Sequence, residues 1–340
     1  MELVADVDRL KRRDFIRAAT AAGLAGFDWD RLAALPEHVD GRMVDDLEAL
    51  LESYLGKTYD AGPAVMLTAI VGQLRTLYEL AAVPKPPSIE RRIQRLTSRT
   101  ATLASWTAHR ADHQAAAHAY CARALEQGRA AGDGHLEARA MFIRTLLYPG
   151  ESADQRDGSL GPVLAMLEAA EKAAGREAPI VLRSWIEQRR SEELAADGAI
   201  AAAERAMDIS DAVGSGPGGD PWGPEWSVIY RARIANLGGQ HQRAVDELDA
   251  LLGSDRPLEF MRFIAQVGRA HAFASLEEPE PAAEALSAAL RLAVDRGEPY
   301  RVHRVLTCRG RLSRWQQVQA VRQLDVELVA WHRTLGRVQW

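Results

Sequence analysis

The stretch Ala111-Asp-His-Gln-Ala-Ala-Ala-His-Ala-Tyr-Cys-Ala-Arg-Ala-Leu125, closed shortly afterwards by Arg129-Ala-Ala-Gly-Asp133, decides the fold. Small residues at helical spacing let a neighbouring helix approach closely, and a glycine beyond the last turn suits the left-handed position that ends a helix. The same punctuation returns at Lys172-Ala-Ala-Gly-Arg176, Asp211-Ala-Val-Gly-Ser215, Leu251-Leu-Gly-Ser254 and Val294-Asp-Arg-Gly-Glu298. Gly132, Gly175, Gly214, Gly253 and Gly297 are 43, 39, 39 and 44 residues apart, and each is expected to close a repeat in the left-handed conformation. Inside the intervals, breaks at Arg110–His113, Ala196–Gly198, Leu237–Gln240 and Glu277–Pro281 divide the chain into two helical stretches. The repeating unit is therefore a helical hairpin, and stacked hairpins make an α-solenoid. No strand-period alternation of useful length appears, so the predicted class is all-α.

Upstream, residues 44–59 and 63–82 read as two further amphipathic helices, and the array is expected to begin near residue 40. Downstream, 300–312 and 315–335 read as a final capping pair without the alanine-rich face. The expected organisation is an N-terminal helical arm over residues 1–39 and a solenoid of five or six hairpins over 40–340. The segment from Gly214 to Gly223 reads as a long surface loop.

Composition narrows the function classes. Hydrophobic residues make up 47% and charged residues 26%, with a mean hydropathy of -0.22, the balance of a folded water-soluble chain. No apolar run reaches the length of a membrane span. Two cysteines, Cys121 and Cys308, form no disulfide framework, and the cytoplasm is the expected location. Four lysines against 38 arginines reflect a GC-rich genome. The net charge of -5 provides no global field for nucleic acid.

Lys11-Arg-Arg-Asp-Phe-Ile-Arg17 and the small residues after it have the form of a twin-arginine export signal. The apolar stretch is short, however, and no A-x-A cleavage site follows, which favours an uncleaved amphipathic helix. His109, His113 and His118 with Cys121 suggest a metal, but the break at Asp112 divides the helix face they would share, and no metal or cofactor is expected. No motif for nucleophilic, nucleotide-binding or metallopeptidase chemistry is present. Arg91, Arg92, Arg95 and Arg99 on one helix, and the arginines of 300–340, read as solvated faces with internal ion pairs rather than a nucleic-acid stripe. The remaining signal is on the first helix of each hairpin. Arg144 with Tyr148, Trp185 with Arg189, and Trp226 with Tyr230 and Arg233 place guanidinium and aromatic groups on common helix faces. There they either anchor the carboxylates and apolar groups of a ligand or, for the two tryptophans, pack between repeats.

The 111–125 run and Gly239-Gln-His-Gln-Arg-Ala-Val-Asp-Glu-Leu248 resemble the turn and second helix of tetratricopeptide repeats, with Ala116 or Ala117 and then Tyr120 in the small and aromatic positions. The order from Val44 to Leu335, with Ala104-Ser-Trp106 and Trp222 to Gly238, resembles the tetratricopeptide half of actinobacterial helix-turn-helix (XRE-type) regulators. That resemblance implies a right-handed superhelix and a non-enzymatic binding or regulatory role. It also implies a groove for a peptide, protein or small-molecule signal, and homodimerisation is compatible with it. In that family a DNA reader precedes a segment like Arg12–Arg17. This chain is expected to lack it and not to bind specific DNA alone. The alternative function is an enzyme or accessory protein of a biosynthetic pathway that uses the helical scaffold as a substrate cavity.

Overall fold

The computed structural model describes residues 39–59, 62–148, 161–214, 223–255, 258–295 and 297–335. The N-terminal arm, including Lys11–Arg17, and most of the 214–223 stretch lie outside the described residues. The described chain is all-helical, with fourteen α-helices, one 3-10 turn and no strand. Fourteen helices make seven successive pairs, more than the five or six expected. The helices are α1 (Gly41–Lys57), α2 (Pro63–Ala82), α3 (Pro87–Arg110), α4 (Gln114–Ala130), α5 (Gly134–Leu146), α6 (Gly161–Ala174), α7 (Ile180–Ala196), α8 (Ile200–Gly214), α9 (Gly223–Leu237), α10 (His241–Leu252), α11 (Glu259–Ser275), α12 (Pro279–Asp295), α13 (Pro299–Gly310) and α14 (Gln319–Leu335). The final pair is interrupted by a 3-10 turn at Ser313–Trp315, so its last helix starts at Gln319 rather than Trp315.

One turn geometry joins the helices at six places among the described residues. The amide of the residue after the left-handed position returns to a carbonyl five residues back: His113 to Ala108 at 2.8 Å, Asp133 to Gly128 at 3.0 Å, Ala199 to Leu194 at 2.9 Å, Gln240 to Ala235 at 2.8 Å, Glu278 to Phe273 at 2.9 Å and Glu298 to Ala293 at 3.1 Å. This is the Schellman closure, which satisfies orphan carbonyls and reverses the chain within three residues. Four of its left-handed positions are glycine, while Asp112 at φ 62° and Glu277 at φ 65° hold it with a side chain. The expectation for the five repeat-closing glycines is corrected in part. Gly132, Gly175 and Gly297 are left-handed, but Gly253 has φ -75° and Gly214 is the last residue of α8. Gly253 continues the helical turn, its amide donating to Asp249. At Gly214 a Cβ would stand 3.3 Å from Ser184 Oγ, so close packing against α7 accounts for the glycine there.

The chain divides into two compact units: residues 1–151 with 165–179, and residues 152–164 with 180–340. In the first, α3 packs on α1, α2, α4 and α5. Tyr54 is fully buried and donates to Ala69 O at 3.2 Å, and Gln73 Nε2 donates to Leu47 O at 2.7 Å. The helix pair α3/α4 meets through small residues and hydroxyls: Ala104, Ala116 and Ala117 are buried, and Ser98 and Ser105 each donate at 2.8 Å to carbonyls of α4, Ala124 and Ala117. Cross-helix bonds to already paired carbonyls leave no buried hydroxyl unsatisfied. Asp133 caps α5, accepting from the amides of His135 and Leu136, and pairs with Arg95 at 3.1 Å.

In the second unit the hairpins are α7/α8, α9/α10 and α11/α12, and the last two helices, α13 and α14, both pack on α12. Each first helix packs on the next first helix, α7 on α9, α9 on α11 and α11 on α13, and each second helix packs on the following first helix. Buried alanines of the second helices, Ala203, Ala244, Ala283 and Ala289, permit this approach. The alanine-rich faces identified in the sequence are thus packing surfaces.

Two backbone substitutions are expected to act in opposite directions. At Gly134 a Cβ would run into the Ala173 carbonyl oxygen, so Gly134→Ala lowers unfolding stability by about 1–3 kcal/mol. Glu277→Gly relieves a left-handed non-glycine residue and raises stability by about 1 kcal/mol, because the exposed pair of Glu277 with Arg314 contributes little. Urea denaturation of the two variants beside the parent measures both.

Candidate functional site

On α7 the i, i+3 and i, i+4 spacings set Glu192 and Glu193 beside Arg189. Arg189 is fully buried, its guanidinium 2.5 Å from Glu192 Oε2 and 2.9 Å from Glu193 Oε1. The second oxygen of Glu192 reaches Arg233 Nη1 on α9 at 3.2 Å, so one carboxylate is shared by two arginines on adjacent first helices. Burial disfavours the Arg189 cation, but the two glutamates outweigh it and hold its pKa above the ordinary value. A charge in this position is tolerated only because it is paired at close range.

The wall continues without a break. Arg233 lies over the Tyr230 ring at 5.6 Å, Tyr230 is 6.3 Å from Trp226, and Trp226 meets Phe260 of α11 edge-on at 6.0 Å. Arg301 of α13, almost fully buried, stands 5.2 Å from both Phe260 and Phe263 and pairs with Glu298 at 2.9 Å and Glu259 at 3.6 Å. Cation–π and T-shaped contacts of this kind orient side chains as well as stabilise them. Between α9 and α11 a cavity of about 30 Å³ opens, with Arg233, Asn236, His271 and Arg304 on its lining. That volume holds one or two waters.

Of the residues singled out from the sequence, Arg189, Trp226, Tyr230 and Arg233 come together in this cluster. Trp185 is half-buried on α7, one turn before Arg189. Arg144, exposed, and Tyr148, half-buried, belong to the first unit. There Arg144 lies near His118, whose pKa is lowered first by burial and then by Arg144 and His109. His109 in turn packs against Trp106 at 5.6 Å and meets Gln114 at 3.0 Å. The assignment of Arg189 as an anchor for ligand carboxylates is corrected: its carboxylates are Glu192 and Glu193, and its side chain does not reach the surface. Glu192, Glu193, Phe260, Arg301, His271 and Arg304 are members of the wall that the sequence reading missed. The Arg189/Glu192/Glu193 and Glu298/Arg301 spacings signalled the first of these, whereas isolated His271 and Arg304 carry no such signal.

Several arginines of the basic clusters pair internally among the described residues. Arg92 binds Asp45 at 2.6 Å and Glu48 at 2.8 Å, Arg99 binds Glu52, and Arg309 binds Asp325 at 2.6 Å. No group of three His, Cys, Asp or Glu among the described residues is placed to hold a metal ion, and no described helix is long and apolar enough to cross a membrane. Cys121 is buried, its thiol 3.2 Å from Ala140 O. Burial pushes that thiol up to about 11, against smaller opposing effects of Arg144 and Ser105. Compared with known proteins, the chain matches no family model and no curated protein.

Glu192→Gln removes the shared carboxylate and leaves two guanidiniums against the remaining Glu193, so a stability loss of about 3 kcal/mol is expected in chemical denaturation. Cys121 gives a pH signature. With the folded thiol raised, its contribution is complete below the unfolded thiol range and is lost as pH rises toward 11. Alkylation of Cys121 at pH 8 is accordingly expected to be far slower in the native chain than in the unfolded one, as thiol labelling followed by mass spectrometry will measure.

Proposed function

We propose that this chain is a non-enzymatic binding protein of tetratricopeptide type, a right-handed helical array in which successive first helices present a groove to a peptide, protein or small-molecule signal. It acts as the sensor half of a regulatory system of the kind it resembles, in the cytoplasm and without specific DNA binding of its own. The observation that carries this reading is the gathering of arginine, glutamate and aromatic side chains of α7, α9, α11 and α13 on one wall, while the second helices contribute buried alanine. Such a face is held rigid by its own ion pairs. Preordered aromatic and guanidinium groups bind with little loss of side-chain freedom, and they are the residue types that dominate binding energy at interfaces. The first-on-first helix packing of the second unit also agrees with a tetratricopeptide arrangement.

The test is mass spectrometry of what co-purifies with the full chain, followed by calorimetry with that molecule. Trp226→Ala and Arg233→Ala are each expected to weaken binding by about tenfold or more, with Arg205→Ala on the exposed side of α8 as the unaffected control. Arg233 also pairs with Glu192, so melting temperatures are recorded for every variant. Equal affinity of both folded variants and the parent would refute the first-helix groove.

A further inference from the structure

We infer that the outer face of α13 and α14 is a docking surface for a second copy of this chain, the two α14 helices lying side by side and parallel about a twofold axis. The inference rests on the fold of the second unit and not on the groove reading. Within that unit each helix pair is covered by the first helix of the next: α9 lies on α7 and α8, α11 on α9 and α10, and α13 on α11 and α12. No further helix follows α14 among the described residues, and the outer face of a terminal element in a helical array is ordinarily polar. Here it is not. Val326 is 61% exposed, Val329 50% and Leu306 46%, three of the seven large hydrophobic side chains exposed among the described residues. An exposed apolar patch of this kind marks an interaction surface when its members lie together.

They do. Arg309 in the last turn of α13 holds Asp325 in the second turn of α14 through two hydrogen bonds of 2.6 Å, so the chain reverses between them. Leu306, one turn before Arg309, and Val329, one turn after Asp325, therefore stand at the same level. On α14 the exposed residues Gln323, Val326 and Ala330 recur at i, i+3 and i+7 and form one stripe. Arg322 borders that stripe on the side of Val329, and Glu327 borders it on the opposite side. Neither forms an ion pair among the described residues. This charge pattern selects the occupant. Across two parallel helices, a residue on one flank meets the residue five positions further along on the partner's opposite flank. A twofold axis thus sets Arg322 against Glu327 of the partner subunit, and does so twice. An antiparallel pairing, in which like flanks meet, would oppose arginine to arginine. Apolar side chains at the centre with opposite charges at the two edges make a surface complementary to itself, as a twofold interface requires. One helix face with Leu306 at its margin is a small interface, which places the association in the weak, reversible class.

The experiment is sedimentation equilibrium of the full chain over a concentration series from micromolar to submillimolar. The mass is expected to rise from one chain to two. Val326→Glu, which puts a charge at the centre of the stripe, should weaken the association by about tenfold or more. Arg322→Glu and Glu327→Arg should each weaken it several-fold. The double variant Arg322→Glu/Glu327→Arg should recover it, because both pairs form again with their signs exchanged. Ile209→Glu, at an exposed apolar residue of α8, should leave it unchanged. Every variant is melted first, and if Val326→Glu does not fold, the charge exchange decides. The inference is overturned if the chain stays single throughout the series, if Val326→Glu associates as strongly as the parent, or if the double variant associates no more strongly than the two single ones.

Discussion

The second unit depends on a single carboxylate. Glu192 is buried, and its two oxygens serve Arg189 on its own helix and Arg233 on the next. Without it Arg189 would keep only Glu193 and the half-buried Arg233 would lose its carboxylate partner, and Glu192 itself is buried and depends on both, since an unpaired charge away from water costs several kcal/mol. The arrangement constrains the angle and register between α7 and α9 more tightly than apolar packing does, because a guanidinium and a carboxylate must meet at hydrogen-bond distance and in a common plane. The aromatic chain from Tyr230 through Trp226 to Phe260 then builds outward from a fixed Arg233.

The two faces of the hairpins divide the work accordingly. Second helices supply Ala203, Ala244 and Ala283, side chains too small to specify anything except proximity. First helices supply large polar and aromatic groups whose satisfaction requires one particular neighbour. A solenoid whose repeats touched only through alanine and leucine would tolerate small slips of one hairpin over the next. The pairs Glu192–Arg233 and Glu259–Arg301, each with one buried member, disfavour such slips, since a slip would strand the buried charge.

Much of the fold was legible in local chemistry. The breaks at Asp112, Gly198, Gly239 and Glu277 and the glycines at 132, 175 and 297 all fall at helix ends, because the left-handed closure is a property of three or four neighbouring residues. The limit of that logic appears at Gly214 and Gly253. Both follow the same local pattern, yet Gly253 is right-handed and Gly214 answers to Ser184 on another helix. Local punctuation cannot distinguish a glycine kept for its backbone from one kept for a neighbour. The candidate wall was legible only in part. Arg189, Trp226, Tyr230 and Arg233 were identified by their spacing on a helix face, but spacing does not say whether a face looks outward or into another helix. The role of Arg189 turned on that difference, and the contributions of Phe260, His271 and Arg304 arise only from stacking one hairpin on the next.

Burial of the wall bears directly on what it can recognise. A guanidinium held by carboxylates in a low-dielectric setting has its orientation fixed in advance, and its remaining donors act on a ligand with less screening than at an exposed surface. Arg233 is in that position, its charge shared with Glu192 and its side chain on the lining of the cavity. Because Glu192 already holds that cation, the pairing fixes Arg233 in advance, and α9 is set on one side by this ion pair and on the other by the Trp226–Phe260 edge contact.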